Sequence, residues 1–325
     1  MLPTISTGAD SVPAESSSRR PIRAVLSCSS RKSAVPPDRL RLRDLRTGGG
    51  DPSPVDWIPR LQDEEVDEVP AHHLYQGDHA SIARSLPACV ADPDRPVEVF
   101  ISSAGYGLVG LETLLKPYSA TFRAGHPDAV HAGSDPSSAR RDWWAALSGW
   151  RQETHAQGSL LALVDQEHFD GHLIIACSAP YLDAMADDLD RARSRMTVDP
   201  LIITSGAAPL GFADCTLIVD ASLQQELGGP LLSLQARVLR YLLLTLQEHE
   251  LDLTECRRVL ATKSRPRPPF RQRERMSDEA LRAVIRNQLA VHAGDSANKM
   301  LRRLRDAGFA CEQGRFARLF REVSR

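Results

Sequence analysis

The chain has 325 residues, with 40 Lys+Arg against 42 Asp+Glu and a formal charge of −2, and 42% of it is apolar. That length fits one large domain or two ordinary ones with a sizeable core. No apolar run approaches the roughly 18 residues of a membrane-spanning helix, and Met1–Ser18 lacks the basic start and apolar stretch of a secretory signal. The expectation is a cytoplasmic protein with no membrane partner.

Residues 1–20, rich in Ser, Pro and Ala, read as a disordered tail. Ile22–Leu26 is a short apolar run that predicts a strand, ending in the polar turn Ser27-Cys28-Ser29-Ser30-Arg31-Lys32. Residues 33–70 hold Pro36-Pro37, Gly48-Gly49-Gly50, Pro52, Pro54 and the acidic run from Asp63 to Glu68, and read as an irregular surface insertion or lid. A helix is expected around His79–Leu86. Val97–Ile101 predicts a buried strand closed by Ser102-Ser103-Ala104-Gly105-Tyr106-Gly107-Leu108, and Arg140–Gln152 a Trp-rich helix.

Further on, Ser159–Val164 and His172–Cys177 read as buried strands, with a helix over Pro180–Arg195 after the second. Leu201–Thr204 and Leu217–Val219 predict two more strands, and Ser233–His249 a long helix. Apolar strands alternating with helices indicate an α/β body over 21–260, built on a mainly parallel or mixed sheet.

Residues 261–276, with Pro266, Pro268 and Pro269 among arginines, read as a linker. Beyond it, Ser277 caps a predicted helix Asp278–Val291, and Ser296 caps a second that ends at Gly308. Phe309-Ala310 form a turn and Cys311–Val323 a third helix. The near-zero overall charge hides an asymmetry. Residues 263–325 hold 16 Lys+Arg against 7 Asp+Glu, a balance of +9, while residues 1–262 hold 24 against 35, a balance of −11. Three short helices with surplus arginine make 277–325 a basic, helix-turn-helix-like module with DNA as its partner. Arg302, Arg303, Arg305, Gln313, Arg315 and Arg318 are its candidate contacts.

Four polar clusters follow apolar strands: Ser27–Lys32, Ser102–Leu108, Cys177-Ser178-Ala179-Pro180-Tyr181 and Ser205-Gly206. In open parallel sheets, C-terminal strand ends gather at one edge and ligands bind there. The first cluster lacks the glycines of a phosphate loop, although Arg31 or Lys32 can supply charge to an anion held on backbone N–H groups. No G-x-S-x-G or H-E-x-x-H occurs, and the six cysteines have no zinc-like spacing, so no metal or cofactor is expected. Without a secretory signal the cysteines are expected to be reduced thiols.

These segments resemble the YaaA family. Tyr75-Gln76-Gly77-Asp78-His79, Ile101–Leu108 and Pro117-Tyr118 are similar to that family's "GD", "LSG-x-YG-x-L" and "PYR" segments. Leu26–Lys32 resembles its "ISPAK" turn, Arg141-Asp142-Trp143-Trp144 its "FWGD" helix, and Ile175–Tyr181 its "LAS-x-x-Y" strand end, in the same order over about 22–210. The Pro of "SPAK" is absent, with Cys28 in its neighbourhood, and Ser119 stands where "PYR" has Arg. The resemblance implies a DNA-associated role in peroxide stress. By kinship with proteins of 7-deazaguanine DNA-modification systems, it also implies conversion of 7-cyano-7-deazaguanine in DNA to its amide. Other proteins of such a modification or defence system would be partners.

Hydrating a nitrile needs a nucleophile and an acid. Cys28, beside Arg31 and Lys32, and Cys177, before a helix, are the candidate thiols, and Asp78 or His79 the candidate acid or base. Ser30, Lys32, Tyr75, Gly77, Ser103, Tyr106, Gly107, Tyr118, Ser178 and Tyr181 complete the candidate pocket, with Trp144 and the tyrosines available to stack on a flipped base. Two other readings stand beside this one: a non-catalytic DNA-binding stress or defence protein, and a nucleotide or nucleoside hydrolase whose tail makes only protein contacts.

Overall fold

A computed structural model describes residues 20–46, 50–62, 65–131, 136–154, 158–166, 169–247, 249, 251–266, 274–292 and 294–324. The expected N-terminal tail through residue 19, and Pro268 and Pro269 of the expected linker, lie outside the described residues. The chain divides into two compact units, 1–265 and 266–325.

The first unit is built on a mixed six-stranded sheet. Its strands are β1 (Ile22–Ser27), β2 (Val97–Ser103), β3 (Gly107–Gly110), β4 (His172–Ala176), β5 (Leu201–Thr204) and β6 (Thr216–Ile218), in the spatial order β3-β2-β1-β4-β5-β6. All neighbours are parallel except β2 and β3, which form a hairpin with Ser103 opposite Gly107. The central strands are almost wholly buried because helices cover the faces of a parallel sheet, so continuous apolar runs such as Leu173–Ala176 have water on neither side. The order reverses at β1 and β4: the chain builds outward through β2 and β3, then returns to the other side of β1. The carboxyl ends of β1 and β4 therefore flank the switch-point crevice, the usual place for a ligand in such sheets.

The main helices of this unit are α1 (Pro54–Leu61), α2 (Asp78–Ser85), α3 (Pro136–Thr154), α4 (Leu160–Asp165), α5 (Ala179–Ala184), α6 (Ala186–Arg193), α7 (Leu234–Thr245) and α8 (Leu253–Ala261). Two sequence expectations change. Ser159–Val164 is not a strand: Ser159 Oγ accepts from Ala162 N at 3.0 Å, and the buried Asp188 carboxylate accepts from Leu160 N at 2.8 Å and Leu161 N at 3.2 Å. Those acceptors satisfy the orphan amides of a first helical turn and start α4. The expected helix over Pro180–Arg195 is likewise two helices, parted at the buried Met185.

The segment 33–70 is no surface insertion either. Leu40, Leu42, Trp57 and Leu61 are core residues. The chain there is stitched to Ser119 by hydrogen bonds from Leu42 N to Ser119 O at 2.9 Å and from Ser119 N to Leu40 O at 2.8 Å.

The second unit has its own core of Leu281, Ile285, Met300, Leu301, Leu304, Phe316 and Leu319. It holds α9 (Asp278–Val291), α10 (Ala297–Asp306) and α11 (Gln313–Val323), with side-chain caps at Ser277, Ser296 and Glu312. Gly308, at φ 93°, takes the left-handed conformation that ends α10. Phe309-Ala310 is a short strand parallel to Glu274-Arg275 rather than a turn. Among the described residues, no helix is long and apolar enough to cross a membrane.

Candidate active site at the switch point

The turn after β1 is held by backbone contacts. Cys28 N donates to Ser102 O at 2.9 Å, Gln76 N to Arg31 O at 2.9 Å, and Ser33 N to Leu74 O at 2.9 Å. Ser29 Oγ lies 2.7 Å from Arg31 O and 2.8 Å from Gln76 O. Lys32 and Tyr75 pair as an isolated bridge. The polar residues therefore leave β1 in a fixed path across the segment 74–76. Cys28 stays partly exposed, whereas the other five cysteines are buried, and all six are free thiols.

Cys28 Sγ lies 3.1 Å from Tyr181 Oη. Tyr181 belongs to α5, which starts one turn after β4, so this contact joins the two strand ends of the switch point. Phe122 braces the Tyr181 ring edge-on at 5.1 Å. Burial, then the neighbouring Cys28, push the Tyr181 phenol well above the ordinary range. A phenol that keeps its proton is suited to donate to a sulfur anion.

The third wall is a buried tyrosine cluster. Ser103 Oγ accepts from Gly105 N at 3.2 Å and Tyr106 N at 3.0 Å, and lies 2.7 Å from Tyr118 Oη. With both acceptor positions used, its own proton goes to Tyr118 Oη, which in turn donates to Tyr75 Oη at 2.9 Å. Two buried indoles anchor the turn beneath: Trp57 Nε1 donates to Gly105 O and Trp143 Nε1 to Ala104 O, each at 2.8 Å. Gly105 is required because a Cβ there would overlap the Tyr118 ring.

Lys32 ends on this cluster, its Nζ 4.1 Å from the Tyr118 ring centroid and 5.7 Å from that of Tyr75. The residue is partly exposed, but desolvation of the ammonium lowers its pKa, while nearby Cys28 and Asp128 pull the other way. Burial and Cys28 likewise raise the Tyr75 and Tyr118 phenols. Cys28, Lys32, Tyr75, Ser103, Tyr118 and Tyr181 thus form one constellation, with Cys28, Lys32, Ser103 and Tyr181 drawn from three of the four strand-end clusters and Tyr75 and Tyr118 from outside them. The fourth lies beside it: Ser205 Oγ accepts from Gln235 Nε2 at 2.9 Å, and Gly206 packs against Ala179.

The remaining candidates occupy other roles. Cys177 is fully buried, its Sγ 3.8 Å from Val25 O, and burial pushes its thiol far above the ordinary range. Asp78 is ion-paired to Arg237, with Arg237 Nε at 3.1 Å, and accepts from Ser233 Oγ. This tether ties α2 to α7 and leaves the carboxylate little freedom to move protons. Burial pushes Asp78 up, but Ser233 and Arg237 outweigh it and hold the carboxyl below its usual range. His79 follows it, lowered by burial. Gly77, exposed and at φ 94°, makes the left-handed step into α2, and Ser30 is exposed. Tyr106 Oη accepts from Lys116 N at 3.0 Å, Gly107 at φ 74° backs onto Leu147, and Ser178 precedes α5 with its carbonyl accepting from Tyr181 N. Trp144 is buried and donates to Asp188 at 3.1 Å.

Asp128 and Arg43 carry no motif in the sequence yet belong to the same region. Asp128, fully buried, accepts from Arg43 N at 3.0 Å, Arg43 Nε at 2.9 Å and Ser119 Oγ at 2.8 Å. Burial raises its pKa, but Arg43 and Ser119 prevail and keep it ionised below the usual carboxylate range. The only sequence signal was Ser119 itself, the departure from "PYR".

In the second unit, Arg315 pairs with Asp278 (Nε at 2.7 Å), Arg318 with Asp278 at 3.2 Å and Glu322 at 2.9 Å, and Arg303 with Asp295. Arg305 donates to Cys311 O at 2.9 Å and Gln313 to Asn298 at 3.0 Å, whereas Arg302 is exposed. Among the described residues, no group of three or more His, Cys, Asp or Glu could hold a metal ion. No family model matches the chain, and no curated protein matches it.

Proposed function

We propose that the chain is a YaaA-like enzyme that hydrates a nitrile on a deazaguanine base in DNA, with Cys28 as nucleophile. The observation that carries this reading is the partly exposed Cys28 thiol at the switch point, 3.1 Å from the Tyr181 hydroxyl and beside Lys32. In the reaction the Cys28 thiolate adds to the nitrile carbon. A C–S bond forms, the π pair moves to nitrogen, and nitrogen takes a proton to give a thioimidate. Lys32 is the acid, because its buried ammonium gives up a proton more readily than an ordinary lysine. Tyr181 donates to the sulfur anion before attack and after release. Water adds across the thioimidate C=N bond with one of its protons going to nitrogen; as the C–S bond breaks, the remaining hydroxyl proton returns to Lys32, the Cys28 thiolate is released, and the amide leaves as nitrile plus one water. Tyr75 and Tyr118, themselves buried, back the Lys32 ammonium from beneath.

The C-terminal unit, with its basic surplus and capped helices, serves in this reading as the helix-turn-helix-like DNA module. Because Arg303, Arg315 and Arg318 are already in ion pairs, Arg302 is its first phosphate contact. Incubating the protein with DNA that carries the cyano base, then measuring digested nucleosides by mass spectrometry, tests the reading. A gain of one water in that nucleoside is expected from the wild type and not from Cys28→Ala; no gain from the wild type rules the reaction out. The second unit alone favours one further reading, a non-catalytic DNA-binding protein of stress or defence. DNA affinity that is unchanged in Cys28→Ala, with no base conversion by the wild type, is its signature.

A further inference from the structure

Ion pairs occupy several arginines of the second unit: Asp278 holds Arg315 and Arg318, Asp295 holds Arg303, and Glu322 holds Arg282. Arg302 and Arg321 are exposed and stand outside those pairs. A cleft of about 420 Å³ opens where α10 meets the first turn of α11, and Asn298, Arg302, Asp306 and Gln313 line it. The N-terminal amides of α11 are already taken. Glu312 Oε1 accepts from Gly314 N and Oε2 from Arg315 N, each at 2.7 Å. What the cleft presents instead is a pair of exposed side-chain amides, with Gln313 Nε2 donating to Asn298 Oδ1 at 3.0 Å. A glutamine amide has two N–H donors and two acceptor positions on its oxygen. Asn298 uses one donor and fixes which way round the amide lies. One N–H and the Oε1 oxygen remain side by side. They complement the adenine edge in the major groove, where N7 accepts and the N6 amino group donates. Guanine presents two acceptors there, and its O6 would face Oε1. Gly314 has no side chain and Ala317, one turn beyond Gln313, has only a methyl, so neither keeps Gln313 from a groove floor.

We infer that α11 reads one adenine·thymine pair of duplex DNA through Gln313, with Asn298 as the positioning residue that makes the reading selective. The inference rests on the DNA-binding reading of this unit and adds a sequence preference to it. Arg302 lies one turn beyond Asn298 on the same face of α10, so it takes a phosphate while Gln313 meets the base. That is the division of labour of a helix-turn-helix pair: the second helix meets base edges with its first residues, and the helix before it crosses the backbone.

Selection of the full chain's preferred sites from a randomised duplex pool, followed by fluorescence anisotropy on the enriched site, tests this. One position should prefer A·T over G·C by about tenfold in affinity. Gln313→Ala should bring that ratio close to one while leaving the salt dependence unchanged, because phosphate contacts set the slope. Asn298→Leu should relax the ratio too, by freeing the amide to turn toward guanine. Asn298→Asp, which keeps an acceptor for Gln313, should retain it. These replacements fall on exposed residues, and their thermal midpoints should match the wild type. Cys28→Ala should select the same site, so this preference and the reaction at Cys28 stand or fall separately. Duplex binding with no enriched sequence, or a preference that survives Gln313→Ala, overturns the inference and leaves the DNA-binding reading in place. No duplex binding even at low salt overturns both.

Discussion

Tyr118→Phe removes one oxygen and keeps the ring that packs on Gly105. That hydroxyl is fully buried and bridges Ser103 and Tyr75. Its loss leaves two buried hydroxyls each short of one partner, and at about 1–1.5 kcal/mol per lost hydrogen bond the cost near pH 7 is about 2–3 kcal/mol. The alkaline range carries a second signature. Burial holds the folded-state pKa of Tyr118 above its ordinary 10.0, so the folded protein keeps a proton that the unfolded chain loses. Stability from this source is complete below the unfolded pKa and declines as pH rises past it. The limiting slope is about 1.4 kcal/mol per pH unit for each such group. Tyr75, Tyr106 and Tyr181 shift the same way, and Tyr118→Phe takes one of these four from the total. Urea unfolding followed by tryptophan fluorescence at about pH 7, 9 and 11 reads both effects. An unchanged midpoint near neutrality, together with an unchanged alkaline slope, would refute the buried hydroxyl chain.

Ser159→Ala should destabilise the protein by about 0.5–2 kcal/mol through loss of the α4 cap, measured by the same unfolding midpoint; no change would mean that Asp188 alone starts the helix. Asp128→Asn should lower stability by about 1.5–3 kcal/mol near pH 7, because a buried carboxylate that accepts from Arg43 and Ser119 is lost. Since the folded-state pKa of Asp128 is depressed, its contribution is present above the unfolded value of 3.8 and fades as pH falls through the folded one, so wild type and variant should converge in acid. Filter binding should show DNA affinity falling steeply with salt, and Arg302→Ala should flatten the slope by about one. Removal of residues 266–325 should abolish the binding; undiminished affinity would contradict the DNA module.

Much of the sheet was legible because parallel strands are buried on both faces. Leu173–Cys177 and Leu201–Ile203 are unbroken apolar runs, Val97–Ile101 is interrupted only by the exposed Glu98, and the polar turns after them mark one edge. The same signal misled at Ser159–Val164, where an apolar run of five residues fits a buried strand or a buried helix equally. The deciding acceptors were Ser159 itself and Asp188, the latter 28 residues from Leu160. Segment 33–70 hid its core residues, since Leu40, Leu42 and Trp57 are spaced among Arg and Pro with no period. At the site, the residue types were legible and their partners were not. Asp78 and Arg237 meet across 159 residues, Cys28 and Tyr181 across 153. Cys28 and Cys177 both follow strands, yet only the fold distinguishes a turn thiol from a core thiol. In the second unit, Asp278 draws Arg315 and Arg318, two of the expected DNA-contacting arginines, into ion pairs across 37 and 40 residues that no local spacing announced.

The most direct measurement of the central claim is the site of covalent attachment. Acid quenching during reaction with cyano-base DNA, followed by digestion of DNA and protein and peptide mass mapping, locates any thioimidate. An adduct on the peptide carrying Cys28 and an unmodified Cys177 are expected. An adduct on Cys177, or turnover by Cys28→Ala at the wild-type rate, would contradict it.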